Sequence, residues 1–173
     1  IRALRGPNLW SRNTAIEAVV HCAPHERAMA PMACFDARLR ALFPAIGALL
    51  PEGSDGDLSL AHVLQSAALA LQAQAGCPVT FGRTASPEVG TYQVIVEYSE
   101  EAVGRKALAQ APLLVQAAVD GGSCDSHAVV AALRELDEDE RLGPSTGALV
   151  EAAAARGIPW RRLTQGSLVQ FGW

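Results

Sequence analysis

Regular alternation of apolar and polar residues marks two segments in the first hundred positions. In residues 14–22 apolar side chains fall on every second position, with Glu17 and His21 between them, and residues 91–98 repeat the pattern. A period of two is typical of a strand that buries one face. We therefore predict two such strands, with residues 2–5 as a further extended segment ahead of a turn.

Helical spacing marks five other segments. Apolar residues recur there three and four positions apart, which is the pattern of an amphipathic helix. The predicted helices are residues 35–43, 59–76, 100–119, 126–140 and 144–156.

Capping residues support several of these helix ends. Ser59 suits the N-cap of the second helix and Gly76 suits its C-cap. Pro112 removes a backbone donor inside the third helix, so we expect a kink or a split there. Ser145 or Thr146 is the expected cap of the last helix.

Residues 158–173 predict two short strands joined at Gln165–Gly166. Strands and helices mix along the chain without a repeating strand–helix–strand unit, which favours an α+β fold over a doubly wound sheet. We predict one domain over residues 1–173. It would contain a small mixed or antiparallel sheet packed with several helices, and it would end in the short strand pair.

Composition excludes several classes of protein. Half of the 173 residues are hydrophobic, which is enough for the core of one domain. The net charge is −4 and Lys106 is the only lysine, so a nucleic-acid-binding surface is not expected. No apolar run approaches the roughly 20 residues that span a bilayer, and no signal segment opens the chain. We expect neither a membrane nor a nucleic acid as a partner.

The four cysteines are scattered along the chain without a CxxC pair. They are Cys22, Cys34, Cys77 and Cys124. Disulfides are one alternative, but a chain this hydrophobic does not need them. We predict free thiols that act as small core residues, and a reducing cytoplasm as the compartment.

Motifs of catalytic sites are weak. There is no phosphate-binding loop. Residues 143–146 could cradle an anion at a helix start or could simply begin the helix. His21, His25 and His127 lack the paired spacing of zinc ligands. Pattern alone therefore predicts an α+β domain of the cytoplasm and no particular activity.

Four blocks of the sequence resemble one family. They are LRGPNLWSR at 4–12, AGCPVTFGRT at 75–84, GTYQVIVEYSEEAVGR at 90–105 and LGPSTGALVEAAAARGIPWRRLTQGSLVQFGW at 142–173. In this order they are similar to the amino-terminal domain of cyanophycin synthetases, and the proteobacterial branch is the most similar. The blocks reach from one end of the chain to the other.

The resemblance implies one part of an ATP-dependent ligase. Enzymes of this family join aspartate and arginine into cyanophycin, which has an aspartate backbone with arginine on each side-chain carboxylate. An ATP-grasp domain and a Mur-ligase-like domain, which use ATP and magnesium, are expected downstream, and no cofactor is expected in this chain. The amino-terminal domain is expected to anchor the growing polymer without catalysis, in a homo-oligomeric full enzyme.

The matching blocks also contain candidate polymer contacts. The candidates are Arg83, Glu97, Glu100, Glu101 and Arg105. Each polymer unit offers a carboxylate and a guanidinium, so arginine–carboxylate pairs could form in both directions. Several weak contacts would keep the polymer concentrated near the active sites. The alternative for each residue is an ordinary surface charge or ion pair.

The second predicted helix places His62, Gln65 and Ser66 on one face, which by itself indicates only a polar face. Some family members carry an HxxEH motif here that would hold zinc and cut the polymer into primers. In this chain Gln65 stands at the glutamate position and Ser66 at the second histidine. An amide is no general base and a hydroxyl is a poor zinc ligand, and residues 51–57 offer no cysteine or histidine. We predict a degenerate site with no metal and no catalytic residue.

Two alternative functions remain from the sequence. A metal-dependent hydrolase of cyanophycin would need the residues that Gln65 and Ser66 replace. A purely structural oligomerisation domain would use exposed aromatic residues such as Trp10, Trp160 and Trp173.

Overall fold

The computed structural model describes residues 1–5, 7–28, 34–48, 58–164 and 166–172. This part of the chain has the predicted α+β fold, with five α-helices, a four-stranded sheet and a separate strand pair. The strands are β1 (Arg2–Leu4), β2 (Ala15–His21), β3 (Gly82–Glu88), β4 (Thr91–Glu97), β5 (Trp160–Arg162) and β6 (Val169–Phe171). The helices are α1 (Phe35–Leu42), α2 (Leu60–Ala75), α3 (Glu101–Asp120), α4 (Ser126–Glu140) and α5 (Pro144–Ala154).

The four-stranded sheet has the order β1-β2-β4-β3, and every neighbouring pair is antiparallel. Residues in register therefore form rows across the sheet, one of which contains Arg2, Glu17, Ile95 and Arg83. β3 is absent from the predicted elements, because its sequence GRTASPE has no alternation of apolar residues. Pairing with β4 imposes the extended conformation, and a register shift between Ala85 and Glu88 interrupts it.

One face of the sheet packs against α2 and α3 and forms the core. Ile16, Val94 and Val96 lie on this face and are at most 1% exposed. Leu71 of α2 and Leu114 of α3 are at most 2% exposed. Burying each such side chain stabilises the fold by about 1.5–3 kcal/mol. The alternation in β2 and β4 therefore correctly predicted which residues face the core.

Helix α2 begins and ends where predicted, with Ser59 as N-cap and Gly76 as C-cap at φ 103°, a left-handed conformation that favours glycine. The predicted polar face with His62, Gln65 and Ser66 does not form an open surface, because α2 contacts β3, β4, α3 and α4. Ser66 and Gln72 are buried as a result. Gln72 donates from Nε2 to the backbone oxygen of Glu97 at 2.9 Å.

The segment between β1 and β2 covers one end of the second face of the sheet. Asn13 donates from Nδ2 to Oε1 of Glu97 at 2.7 Å, and the Trp10 ring lies against Arg83 of β3. Glu17 on the same face, paired with Arg2 of β1, is only 5% exposed. The prediction that the Glu17 side of β2 faces solvent is wrong at this end, because the pattern within one strand does not show what a distant loop covers.

Pro112 lies inside α3, which continues without a break. The helix is therefore not split at this proline. Leu108 and Ala111 before the proline, and Leu114 and Val115 around the next turn, are all buried. Core packing on both sides holds the two halves of the helix together despite the missing backbone donor.

Helix α5 begins at Pro144 with Gly143 as its N-cap. The expectation that Ser145 or Thr146 caps this helix is wrong. Proline suits the first helical position because its φ is already fixed and its missing N–H has no partner there in any helix.

Helix α5 and the antiparallel pair β5–β6 make up residues 144–172, which we call the C-terminal unit. The strand pair confirms the prediction for the end of the chain, although Gln165 and Trp173 lie outside the described residues. Val150 of this unit is buried, whereas six larger apolar side chains are 41–62% exposed. They are Leu149, Ile158, Trp160, Leu163, Leu168 and Phe171.

All four cysteines are free thiols, as predicted. Cys22 and Cys77 are buried, and burial raises the pKa of both thiols. Cys34 is exposed at a positive φ of 60°, so its predicted place in the core is wrong. In the described part of the chain, no helix combines the length and apolar character needed to cross a membrane.

Candidate functional site

His62 lies at the start of α2 and caps the helix. Its Nδ1 is 3.3 Å from the backbone nitrogen of Ser59 and 2.9 Å from the Ser59 hydroxyl. Because a backbone N–H can only donate, Nδ1 is an acceptor and the ring proton lies on Nε2. The ring meets Tyr92 edge-on, with 6.0 Å between centroids, and burial lowers the pKa of His62. His62 is therefore a neutral capping residue.

Gln65 and Ser66 do not complete a zinc site with His62. The Gln65 amide lies over Gly82 of β3, where an added Cβ would collide with it, and Ser66 is buried in the core. Nδ1 of His62 is already used by the helix cap. Within the described ranges, no three His, Cys, Asp or Glu side chains come together as a possible metal site. Residues 51–57 lie outside those ranges, and the residues that are described do not fit zinc.

The Glu97 carboxylate at the end of β4 is surrounded by donors. Oε1 accepts from Asn13 at 2.7 Å, and Oε2 accepts from the backbone nitrogens of Thr80 and Phe81 at 2.8 and 2.7 Å. Hydrogen bonds to a charged acceptor are roughly twice as strong as those between neutral groups. Glu97 is buried, so it holds the segment before β3 and the loop before β2 together.

The first turn of α3 carries an ion-pair cluster at the surface. Glu101 accepts from Nε of Arg5 and from Nε of Arg105, each at 2.9 Å. The hydrogen bond from Arg5, followed by that from Arg105, lowers the pKa of Glu101. The side chains of Arg5 and Arg105 are 79% and 43% exposed. This α3 cluster presents one carboxylate between two guanidinium groups.

Glu100, one residue earlier, faces the C-terminal unit. Its Oε2 lies 3.7 Å from Nη1 of Arg162 in β5. Burial raises the pKa of Glu100, and the nearby Arg162 acts in the opposite direction. Glu100 therefore has an internal cationic partner.

Arg83 lies on the second face of the sheet, at the edge strand β3. Its guanidinium carbon is 5.5 Å from the centre of the Trp10 ring, a cation–π contact of about 0.5–1 kcal/mol at an exposed site. In the same row of the sheet Arg2 forms an ion pair with Glu17, and Ile95 between Glu17 and Arg83 is buried. We call Arg2, Glu17, Arg83 and Trp10 the outer-face cluster.

The structure divides the five residues predicted as polymer contacts. Arg83, Glu101 and Arg105 present charged groups at the surface, whereas Glu97 and Glu100 have partners inside the protein. Glu101 and Arg105 form one cluster, and Arg83 belongs to another.

Sequence reasoning missed Arg2, Arg5 and Glu17 as members of these clusters. Arg5 and Glu101 are 96 positions apart, so no local pattern connects them. The one available indication was the LRGPNLWSR block, which contains Arg5 and Trp10.

Comparison with known proteins adds the family to this geometry. The family model of the cyanophycin synthase-like N-terminal domain matches residues 46–120. The cyanophycin synthetase of Trichormus variabilis is 35% identical over 100% of this chain and 21% of that protein. The chain belongs to the cyanophycin synthetase amino-terminal domain family. The cyanophycin synthetases of Crocosphaera subtropica and Synechocystis sp. are 33% and 31% identical over 98% of the chain and 21% of each protein.

The cyanophycin synthetase resemblance predicted from the four sequence blocks is thus confirmed. The chain spans about one fifth of the length of the curated relatives it matches. All five predicted contact residues, and the His62 cap, lie within the segment that the family model matches. Arg2, Trp10 and Glu17 lie outside that segment but within the alignment to the Trichormus variabilis protein.

Proposed function

We propose that this domain anchors cyanophycin for a cyanophycin synthetase and does not itself catalyse a reaction. Cyanophycin offers a carboxylate and a guanidinium in each unit, so a suitable surface presents both signs of charge. The outer-face cluster and the α3 cluster meet that requirement. The observation that carries the proposal is Arg83, an exposed guanidinium oriented by the Trp10 ring.

Arg83 is assigned to a polymer carboxylate, because its planar guanidinium can donate two parallel hydrogen bonds to both oxygens. Glu101 is assigned to a polymer guanidinium, which would share the carboxylate with Arg5 and Arg105. Each contact is weak at an exposed site. Together they raise the effective concentration of the polymer beside the active sites.

Glu97 and Glu100 take indirect roles in this proposal. Glu97 fixes the backbone at Thr80 and Phe81, and so positions Arg83 two residues later in the chain. Glu100 is paired with Arg162 and is assigned to the junction with the C-terminal unit. Both residues are therefore positioning residues rather than polymer contacts.

The rest of the enzyme is proposed from the length of the relatives, of which this chain matches 21%. We assign ATP and magnesium to an ATP-grasp domain and a Mur-ligase-like domain in the remaining length. The full enzyme would be a homo-oligomer in the cytoplasm. No cofactor is assigned to residues 1–173.

Hydrolysis of cyanophycin is the alternative enzymatic role, and α2 argues against it. A zinc-bound water needs a general base and an open metal position. Gln65 supplies no base, and Ser66 is buried. A structural role in oligomerisation is the other alternative, with Trp160 as an exposed aromatic residue.

Titration of short aspartate–arginine polymers against the 173-residue chain tests the proposal. Arg83→Ala is expected to weaken binding up to about fivefold, because a charged contact at an exposed site is worth up to about 1 kcal/mol. Arg156→Ala is the matched control, since Arg156 is an exposed arginine of the C-terminal unit. Its affinity is expected to equal that of the unchanged chain.

Three results would contradict the proposal in different ways. No binding at millimolar polymer would favour a purely structural domain. Equal losses in Arg83→Ala and Arg156→Ala would show general charge attraction without a site. Shortened polymer, or stoichiometric zinc in the purified chain, would favour the hydrolase.

A further inference from the structure

Helix α4 ends with four consecutive acidic residues, 137–140. Carboxylates are unfavourable at this end, because the carbonyl end of a helix carries partial negative charge. Glu100, the N-cap residue of α3, adds another carboxylate to the same region. Asp137 and Glu140 both contribute to the raised pKa of Glu100, after the effect of burial. A cation close to these carboxylates offsets their mutual repulsion.

Arg162 of β5 supplies that cation. Its Nη1 donates to the backbone oxygen of Glu140 at 2.5 Å and lies 3.7 Å from Oε2 of Glu100. Its Nε donates to the backbone oxygen of Gly166 at 2.7 Å. One guanidinium thus satisfies a carbonyl at the end of α4, faces a carboxylate at the start of α3 and braces the turn of the strand pair.

Arg161, the preceding residue, has a different environment. Its Nε donates to Oε1 of Gln170 in β6 at 2.9 Å, and its side chain is exposed. Successive residues of a strand point to opposite faces, which explains why Arg162 reaches the core and Arg161 does not. The two arginines have the same chemistry and differ in the face on which they lie.

Apolar packing contributes little to holding the C-terminal unit in place. Val150 is buried, but six larger apolar side chains of the unit are 41–62% exposed, and the hydrophobic effect stabilises a contact in proportion to the apolar area removed from water. Helix α5 and strand β6 contact mainly β5, which belongs to the same unit. The Arg162 contacts therefore contribute a larger share of the free energy that holds the unit on the core than they would beside a large apolar interface.

We propose that Arg162 is a latch that fixes the orientation of the C-terminal unit on the core, by lying between the end of α4 and Glu100. This inference does not depend on polymer binding. With the latch intact, the exposed apolar residues of the unit face a constant direction relative to the sheet. With the latch broken, residues 144–172 move as a separate body about residues 141–143.

Hydrogen exchange of the 173-residue chain, measured residue by residue, tests the latch. Arg162→Ala is expected to speed exchange of the Arg141 amide, which closes the last turn of α4, by about fivefold, the effect of one lost hydrogen bond. Exchange in α2 and α3 is expected to stay unchanged. Arg161→Ala is the matched control and is expected to leave the Arg141 amide as it was.

Glu100→Gln tests the same contact from the core side, because it removes the charge and keeps the shape. It is expected to speed exchange at Arg141 about twofold, since only the ion-pair component is lost. Small-angle scattering of Arg162→Ala is expected to show a larger radius of gyration than that of Arg161→Ala. Equal behaviour of the two arginine variants, or faster exchange throughout α2 and α3 in Arg162→Ala, would overturn the latch.

Discussion

Two regions of the molecule differ in the exposure of their apolar side chains. The first region is the four-stranded sheet with α1–α4, and the second is the C-terminal unit. Leu71 and Leu133 in the first region are 1% and 0% exposed, whereas Leu149 and Leu168 in the second are 62% and 56% exposed. The first region surrounds its own hydrophobic core. The C-terminal unit pairs its strands and buries Val150, but leaves most of its large apolar side chains exposed. The hydrophobic content of 50% is therefore an average over one region that buries its apolar side chains and one that exposes most of them.

Removing one core side chain is the strongest way to break this comparison. Leu71→Ala is expected to lower the free energy of unfolding by about 3 kcal/mol, because it leaves a cavity between α2 and its neighbours. Leu149→Ala in α5 is expected to change it by less than about 0.5 kcal/mol. Urea denaturation of both variants measures the difference. A loss of several kcal/mol in Leu149→Ala would show that both regions unfold as one.

Removing one buried charge sharpens the comparison within the first region. Glu97→Gln is expected to destabilise the chain by about 2 kcal/mol, because a neutral amide oxygen accepts from the backbone nitrogens of Thr80 and Phe81 more weakly than a carboxylate does. Glu88→Gln, at an exposed position of β3, is the control and should be close to neutral. Both values come from the same denaturation experiment, and equal stabilities would show that the Glu97 contacts add nothing.

Acidification is expected to have the smallest effect on the free energy of unfolding, and it acts through the His62 cap of α2. Burial lowers the pKa of His62, so the folded chain favours the neutral ring. The contribution of the His62 cap to the free energy of unfolding is then fully present above the ordinary pKa of 6.5. It falls as the pH drops below that value, because the unfolded chain binds the proton first. The loss should approach about 1 kcal/mol, the value of a helix cap.

The free energy of unfolding at pH 7.5 and pH 5 measures the His62 effect. His62→Gln should reduce the pH dependence, whereas His127→Gln, at an exposed position of α4, should retain it. A pH dependence that is unchanged in His62→Gln would assign the effect to other groups.

Helices with continuous periodicity were predictable from the sequence. The predicted bounds of α4 match residues 126–140, and those of α2 differ by one residue at each end. Apolar spacing marks both helices and the caps Ser59 and Gly76 mark α2, so local preference and tertiary packing favour the same structure. β3 could not be predicted, because its GRTASPE sequence becomes a strand only by pairing with β4.

The candidate site was predictable in its residue types but not in its contacts. The sequence pointed to Arg83, Glu101 and Arg105, which the structure places at the surface. It also pointed to Glu97, whose donors come from a loop more than 80 residues earlier as well as from nearby backbone. Burial of that kind depends on which distant segments meet, and no periodicity within one segment contains that information.

Arg2 and Arg83 lie at opposite ends of one row across the sheet. The width of this row determines the minimum length of a ligand that contacts both arginines. Neighbouring strands lie about 4.8 Å apart, so the three steps from β1 to β3 span about 14 Å. An extended chain advances about 3.4 Å per residue, and about four backbone units are needed to cover that width. Oligomers shorter than this reach only one end of the row, so affinity should rise as the oligomer length approaches this size.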